Sequence, residues 1–145
     1  MDGCFTALHI ACHENDTATA MTLITEGNEQ YDAIDVYGYT PLILACKNEM
    51  TDVAMALIAT GKSNPGHVNN YGSTALMRAC KHNMSNVALA LLATGESNPM
   101  QVSYAGHTAL ERAKLNNMRE VVAILENYYM SHNNDTICDE STEDK

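Results

Sequence analysis

In the segment "TALHIACHEN", Thr6 to Asn15, His9, Cys12 and His13 stand within one helical turn of each other, and Cys4 lies just ahead of them. At that spacing, imidazole nitrogens and a thiolate can ligate zinc, or an imidazole can activate a thiol toward oxidation. Both chemistries need all the groups together at one place. The competing account is packing, in which cysteine acts as a small apolar side chain and histidine as a hydrogen-bonded one. The elements that carry these residues decide between the two.

The segment is one copy of a repeat. "CFTALHIACHEND" from Cys4, "GYTPLILACKNEM" from Gly38, "GSTALMRACKHNM" from Gly72 and "GHTALERAKLNNM" from Gly106 start 34 residues apart without a gap. Thr6, Thr40, Thr74 and Thr108 coincide, as do Leu8, Leu42, Leu76 and Leu110, and Ala11, Ala45, Ala79 and Ala113. Leu23, Leu57, Leu91 and Leu125 match later in the unit, with Gly27, Gly61 and Gly95 after them. Cys12 has counterparts at Cys46 and Cys80, with Lys114 in the last unit. His9 faces Ile43, Met77 and Glu111, and His13 faces Lys47, Lys81 and Leu115. Only the cysteine recurs, so it reads as a repeated packing position rather than a ligand. A metal- or redox-responsive protein using Cys4, His9, Cys12 and His13 remains the rival reading. It predicts stoichiometric zinc or fast labelling of Cys12.

Each unit reads as helix, turn, helix and loop. Thr40 then Pro41 is a helix start: a hydroxyl to cap free N–H groups, and a ring that needs no donor in the first turn. Leu42, Ala45, Cys46 and Glu49 then fall at i, i+3, i+4 and i+7. Asn15, Asn83 and Asn117 stand where a left-handed residue ends that helix, and Glu49 departs from the pattern. Thr51-Asp52 and Ser85-Asn86 look like caps for a second helix. "VAMALIATG" is apolar nearly all round and so requires cover on several sides, which stacked neighbours provide. "KSNPGHVNNYG" is turn-rich and predicts a projecting hairpin. Met50, Met84 and Met118 recur in phase and read as packing residues.

The formal net charge of −10 argues against nucleic acid and against anionic membranes, both of which select concentrated Lys and Arg. No run of 18 apolar residues offers a membrane span, and the N-terminus lacks the basic and apolar regions of a secretory signal. Five cysteines without a CxxC pair point to reduced thiols inside the cell, cytoplasmic rather than nuclear. Gly-rich phosphate loops, HExxH and GxSxG are absent, and repetition itself works against a catalytic centre, so no enzyme activity and no cofactor are expected. Both ends look like caps. The first unit carries Thr17, Thr19, Thr22 and Thr25 on its second helix, the last has Glu111, Arg112 and Lys114 on its first, and Tyr128 and Tyr129 cover the end. Residues 131 to 145 carry five acids, one lysine and a single Ile, which predicts a disordered acidic tail.

"GYTPLILAC", "GSTALMRAC" and "GHTALERA", followed by "VAMALIATG" and "VALALLATG", resemble the ankyrin repeat family, whose unit is about 33 residues long. The resemblance spans residues 4 to 130 in four copies, 4–37, 38–71, 72–105 and 106–130, the first three each one residue longer than the family's usual unit. The "SNP" loop form is similar to that of ankyrin sets of giant DNA viruses. The resemblance implies an all-α repeat solenoid over residues 1–130, made of stacked helix-turn-helix repeats with projecting β-hairpin-like loops. It also implies a monomeric, non-enzymatic module that binds another protein on its concave face, and a structural hydrogen bond for His9.

Carried onto matching positions, the partner-binding residues are Tyr37, Tyr39, Asn70, Tyr71, Ser73, Tyr104 and His107 at the loop tips, with Val36 and Ala105 beside them. Lys47, Lys81 and His82 stand at the first-helix edges, beside His13, Glu14, Asn48, Leu115 and Asn116. Four of the seven tyrosines fall at the tips. Exposed tyrosine provides contact area at low entropy cost. The alternative for Tyr37 and Tyr71 is to staple neighbouring hairpins together, and for Lys47 and Lys81 to be ordinary solvated residues. A purely structural array whose tips bind nothing is the third reading.

Overall fold

The computed structural model describes residues 6–27 and 30–144, with side chains through Ser131. Among the described residues there are eight helices and no strand: α1 (Ala7–His13), α2 (Thr17–Glu26), α3 (Pro41–Lys47), α4 (Thr51–Thr60), α5 (Ala75–Lys81), α6 (Ser85–Ala93), α7 (Ala109–Leu115) and α8 (Arg119–Asp144). Each odd-numbered helix packs on the even-numbered one that follows it. The odd helices form one row and the even helices a second row behind it. The expected tail at 131 to 145 lies, beyond Ser131, outside the residues described with their side chains.

The first helices start and stop for reasons visible in every unit. Thr6, Thr40, Thr74 and Thr108 are extended N-caps whose hydroxyls accept from the N–H of His9, Ile43, Met77 and Glu111 at 3.1–3.2 Å. The left-handed residues Asn15, Glu49, Asn83 and Asn117, with φ from 55° to 61°, reverse the chain after about two turns. Met50, Met84 and Met118 follow, donating their N–H to Ala45, Ala79 and Ala113 carbonyls at 2.8–3.0 Å. The N–H groups of Glu49, Asn83 and Asn117 bond to the carbonyls of Cys46, Cys80 and Lys114 at 3.2–3.3 Å. This is the two-bond Schellman closure, and its accompanying apolar contact explains why the methionines recur and are buried.

Thr51 and Ser85 are not caps. The N-caps of α4 and α6 are Met50 and Met84, which make no side-chain cap bond, because the residue that closes one helix also opens the next and is needed for packing. In the first unit Asp16 takes this position and caps Thr19 N–H at 3.3 Å.

The core lies between the two rows. Leu8, Leu42, Leu57, Leu76, Leu91 and Leu125 are at most 1 % exposed. Burying each contributes about 1.5–3 kcal/mol. Ala54 and Ala88 on the back helices and Ala45 and Ala79 on the front ones are wholly buried, small enough for the rows to approach closely. The back helices are covered by their own first helix and by two neighbours, while Met55 and Ala59 face outward. The apolar run on α4 is therefore only partly buried. At the ends, Thr22 and Thr25 return their hydroxyls to the Ala18 and Met21 carbonyls, and Lys114 pairs with Glu126 at 3.3 Å.

Candidate functional site

The loops between units are tight turns, each organised by one polar side chain. Asp35 Oδ1 accepts from Tyr37 and Tyr39 N–H at 2.9 Å, and Asn69 Oδ1 accepts from Tyr71 and Ser73 N–H at 2.8 and 3.0 Å. Ser103 Oγ accepts from His107 N–H at 3.1 Å. Each turn closes with a backbone bond, Asp35 N–H to Tyr39 O, Asn69 N–H to Ser73 O and Ser103 N–H to His107 O, at 2.9–3.1 Å.

Neighbouring turns are joined through the backbone. Asn70 N–H bonds to Tyr37 O at 3.0 Å, and Tyr104 N–H to Tyr71 O at 3.1 Å. Gly38 and Gly72 permit this approach. Their φ angles are 82° and 80°, and a Cβ there would lie 2.8 Å from the N of Asn70 or Tyr104. Gly106, with φ 87°, has nothing within 4 Å of a built Cβ. The tips thus form one hydrogen-bonded row.

Two adjoining grooves run between this row and the first helices, and both are lined by Tyr71. One, about 240 Å³, is bounded by Tyr37, Tyr39, Leu44, Lys47 and His13. The other, about 260 Å³, is bounded by Ser73, Met77, Arg78, Lys81, His107 and Arg112.

The sequence-derived residues distribute unevenly over this surface. Tyr37, Tyr71 and Tyr104 are 55 %, 51 % and 78 % exposed. Tyr39 is only 7 % exposed, with Lys47 Nζ 5.3 Å above its ring and the Tyr71 ring 6.3 Å away. Burial raises the Tyr39 phenol above its ordinary value, opposed by the nearby Arg78 guanidinium. Asn70 is a joining residue: its side chain donates to Val36 O at 3.1 Å. Ser73 closes its turn and also lines the second groove.

Lys81 is exposed at the rim of that groove, and His107 holds Glu111 at 3.4 Å. His82 meets Glu49 at 3.3 Å; burial lowers its pKa from the ordinary value, and Arg78 and Lys81 push the same way against Glu49. Asn48 and Asn116, at the position His82 occupies, donate across the stack to Cys12 and Cys80 carbonyls at 2.7 and 2.6 Å. They serve stacking.

Arg78, Arg112 and Met77 in the second groove were missed as groove residues by sequence reasoning. Arg78 and Arg112 stand 34 residues apart at one repeat position, and that in-phase recurrence is the signal that could have found them.

The metal or redox reading gains no support from the geometry. Thr6 N–H donates to His9 Nδ1 at 3.3 Å, which places the ring proton on Nε2, and Nε2 donates to Tyr39 O at 2.9 Å. Both nitrogens of this fully buried ring are engaged. His9 thus stitches the first unit to the second, which is the structural hydrogen bond expected of it. Burial pushes the Cys12 thiol up to about 12, far from a reactive thiolate. Cys4 lies outside the described residues. Among the described residues no group of three His, Cys, Asp or Glu side chains could hold a metal ion, and no helix is long and apolar enough to cross a membrane.

None of the curated proteins compared with the chain matches it. A family model for ankyrin repeats (3 copies) matches residues 2–64 and 51–136. With paired helices stacked in two rows and turns joined at their tips, the chain belongs to the ankyrin-repeat family, whose repeats are generally protein–protein interaction modules.

Proposed function

We propose that the protein binds a partner protein along the grooves between its loop tips and first helices, and that it does so without catalysing a reaction. The observation that carries this reading is the row of exposed aromatic side chains, Tyr37, Tyr71 and Tyr104, mounted on turns that hydrogen-bond to one another. The tips are fixed before the partner arrives, so docking loses little ordering entropy. Tyrosine then supplies contact area with few rotatable bonds. Tyr39, Asn70 and Ser73 hold the tips in place. Lys47, Lys81 and His107 contribute from the groove walls, and His82 from the helix edge at the end of α5.

The test compares three baits in pull-downs from cell lysate: wild type, a variant with Tyr37, Tyr71 and Tyr104 all changed to Ala, and Met55→Lys on the outward side of α4. Circular dichroism first establishes that each variant is folded. Proteins captured by wild type and by Met55→Lys but lost by the tyrosine variant support the proposal. Equal capture by the tyrosine variant, or loss only with Met55→Lys, refutes it.

A further inference from the structure

The eight Lys and Arg residues of this acidic chain are not spread evenly. Three of them, Arg78, Lys81 and Arg112, line the single groove of about 260 Å³ between the α5 and α7 helices and the Tyr71 and Ser103 turns, and Lys47 lines the adjoining groove. No Asp or Glu is among the residues lining the α5–α7 groove. The nearby carboxylates already have partners: Glu49 meets His82, and Glu111 meets His107 at the edge of the groove. Arg78 is only partly satisfied: its guanidinium lies near the Tyr39 phenol, while its Nε is buried without a hydrogen-bond partner. Met77 and Tyr71 line the same groove and give it apolar surface beside the cations.

We propose that this groove seats an acidic segment of the partner protein, with an Asp or Glu carboxylate set among Arg78, Lys81 and Arg112 and an apolar neighbour against Tyr71 and Met77. This rests on the binding reading above and adds to it the chemistry of the partner. The overall charge of −10 does not oppose it. Charges more than about 8–10 Å away are largely screened at physiological salt, so the cations lining the groove decide what enters. A planar guanidinium matches a carboxylate two bonds at a time. Cation crowding points the same way: the Lys81 amine is lowered by Arg78 first, then by burial and by Arg112. An entering carboxylate relieves that repulsion.

The experiment is fluorescence anisotropy of the full chain with a fluorescein-labelled octaglutamate peptide. Octaglutamine, a phosphoserine-containing glutamine peptide and a short DNA duplex serve as comparison probes. The variants are Arg78→Gln, Arg112→Gln and the charge-keeping Arg78→Lys, each checked for wild-type thermal unfolding so that loss of fold is not read as loss of binding. The proposal expects octaglutamate to bind at least about tenfold more tightly than octaglutamine at low salt. It expects a loss of about tenfold in either Gln variant and partial retention in Arg78→Lys. Equal binding of octaglutamate and octaglutamine overturns it, as does binding unaffected by both Gln variants. Tighter Arg78-dependent binding of the phosphoserine peptide overturns the carboxylate assignment in favour of phosphate. DNA binding as tight as octaglutamate reduces the groove to a general polyanion site and overturns the proposal as well. A partner captured through the tyrosines but indifferent to Arg78→Gln and Arg112→Gln preserves the binding reading and sinks only this inference.

Discussion

The joined row of turns makes a quantitative claim about Gly72. Replacing it with Ala asks an L side chain to hold φ near 80°, and the same demand arises at Gly106, where φ is 87°. That conformation costs about 1–2 kcal/mol for a residue with a Cβ. The two sites differ in what the new methyl meets. At Gly72 it would lie 2.8 Å from the backbone N of Tyr104 and 3.1 Å from Ser103 Cα, whereas at Gly106 nothing lies within 4 Å. Backbone atoms cannot swing aside as a side chain does, so the next turn must move. Overpacking of this kind costs about 1–3 kcal/mol. Weakening the Tyr104 N–H to Tyr71 O bond adds about 0.5–1.5 kcal/mol. The loss of unfolded-chain entropy is common to both substitutions and cancels in the comparison. Gly72→Ala is therefore expected to cost about 2.5–6.5 kcal/mol and Gly106→Ala about 1–2 kcal/mol. Urea unfolding followed by far-ultraviolet circular dichroism measures both. A difference of less than about 0.5 kcal/mol between them would show that the close approach of neighbouring turns carries no energy.

Two further outcomes follow from the same stack. Burial holds the Cys12 and Cys80 thiols up to about 12 and raises Cys46 further, against an ordinary value of 9.0. A raised acid pKa means the folded state keeps protons that the unfolded chain releases. This stability is intact below pH 9.0 and falls as pH rises toward about 12. Each thiol should lose about 1 kcal/mol between pH 9 and 10, and urea midpoints of a variant with all three changed to Ala should be flatter across that interval. An identical slope in wild type and variant refutes the assignment. Glu49→Asn places the residue found at the same position in the other units where φ is 60°, and should stabilise by about 0.5–1 kcal/mol at a pH where His82 is neutral. Destabilisation in the same unfolding assay would mean that the left-handed turn imposes no strain on Glu49.

The repeat itself was legible because its signals are local. The capping threonines, the left-handed residue after each first helix, the in-phase leucines and the cysteine position act within a few residues, and the structure places each where its spacing implies. The second-helix caps were misread because Thr51 and Ser85 satisfy a local rule, while Met50 and Met84 are held by packing that only the stack provides. Tyr39 shows the same limit at the candidate site. It shares a tip with Tyr37, yet it is buried beneath Lys47 and Tyr71, which reach it from the helix edge and from the next unit.

The sequence by itself determined the repeat, its helices and the flexion points between them, because hydrogen-bonded turns and amphipathic spacing are set by neighbours along the chain. Only the tertiary structure decided which side chains share a groove. Arg78 and Arg112 are 34 residues apart in the chain and line one groove with Tyr71 and Ser73. That convergence depends on how closely neighbouring units stack, a distance fixed by the small alanines between the rows and the glycines between the turns.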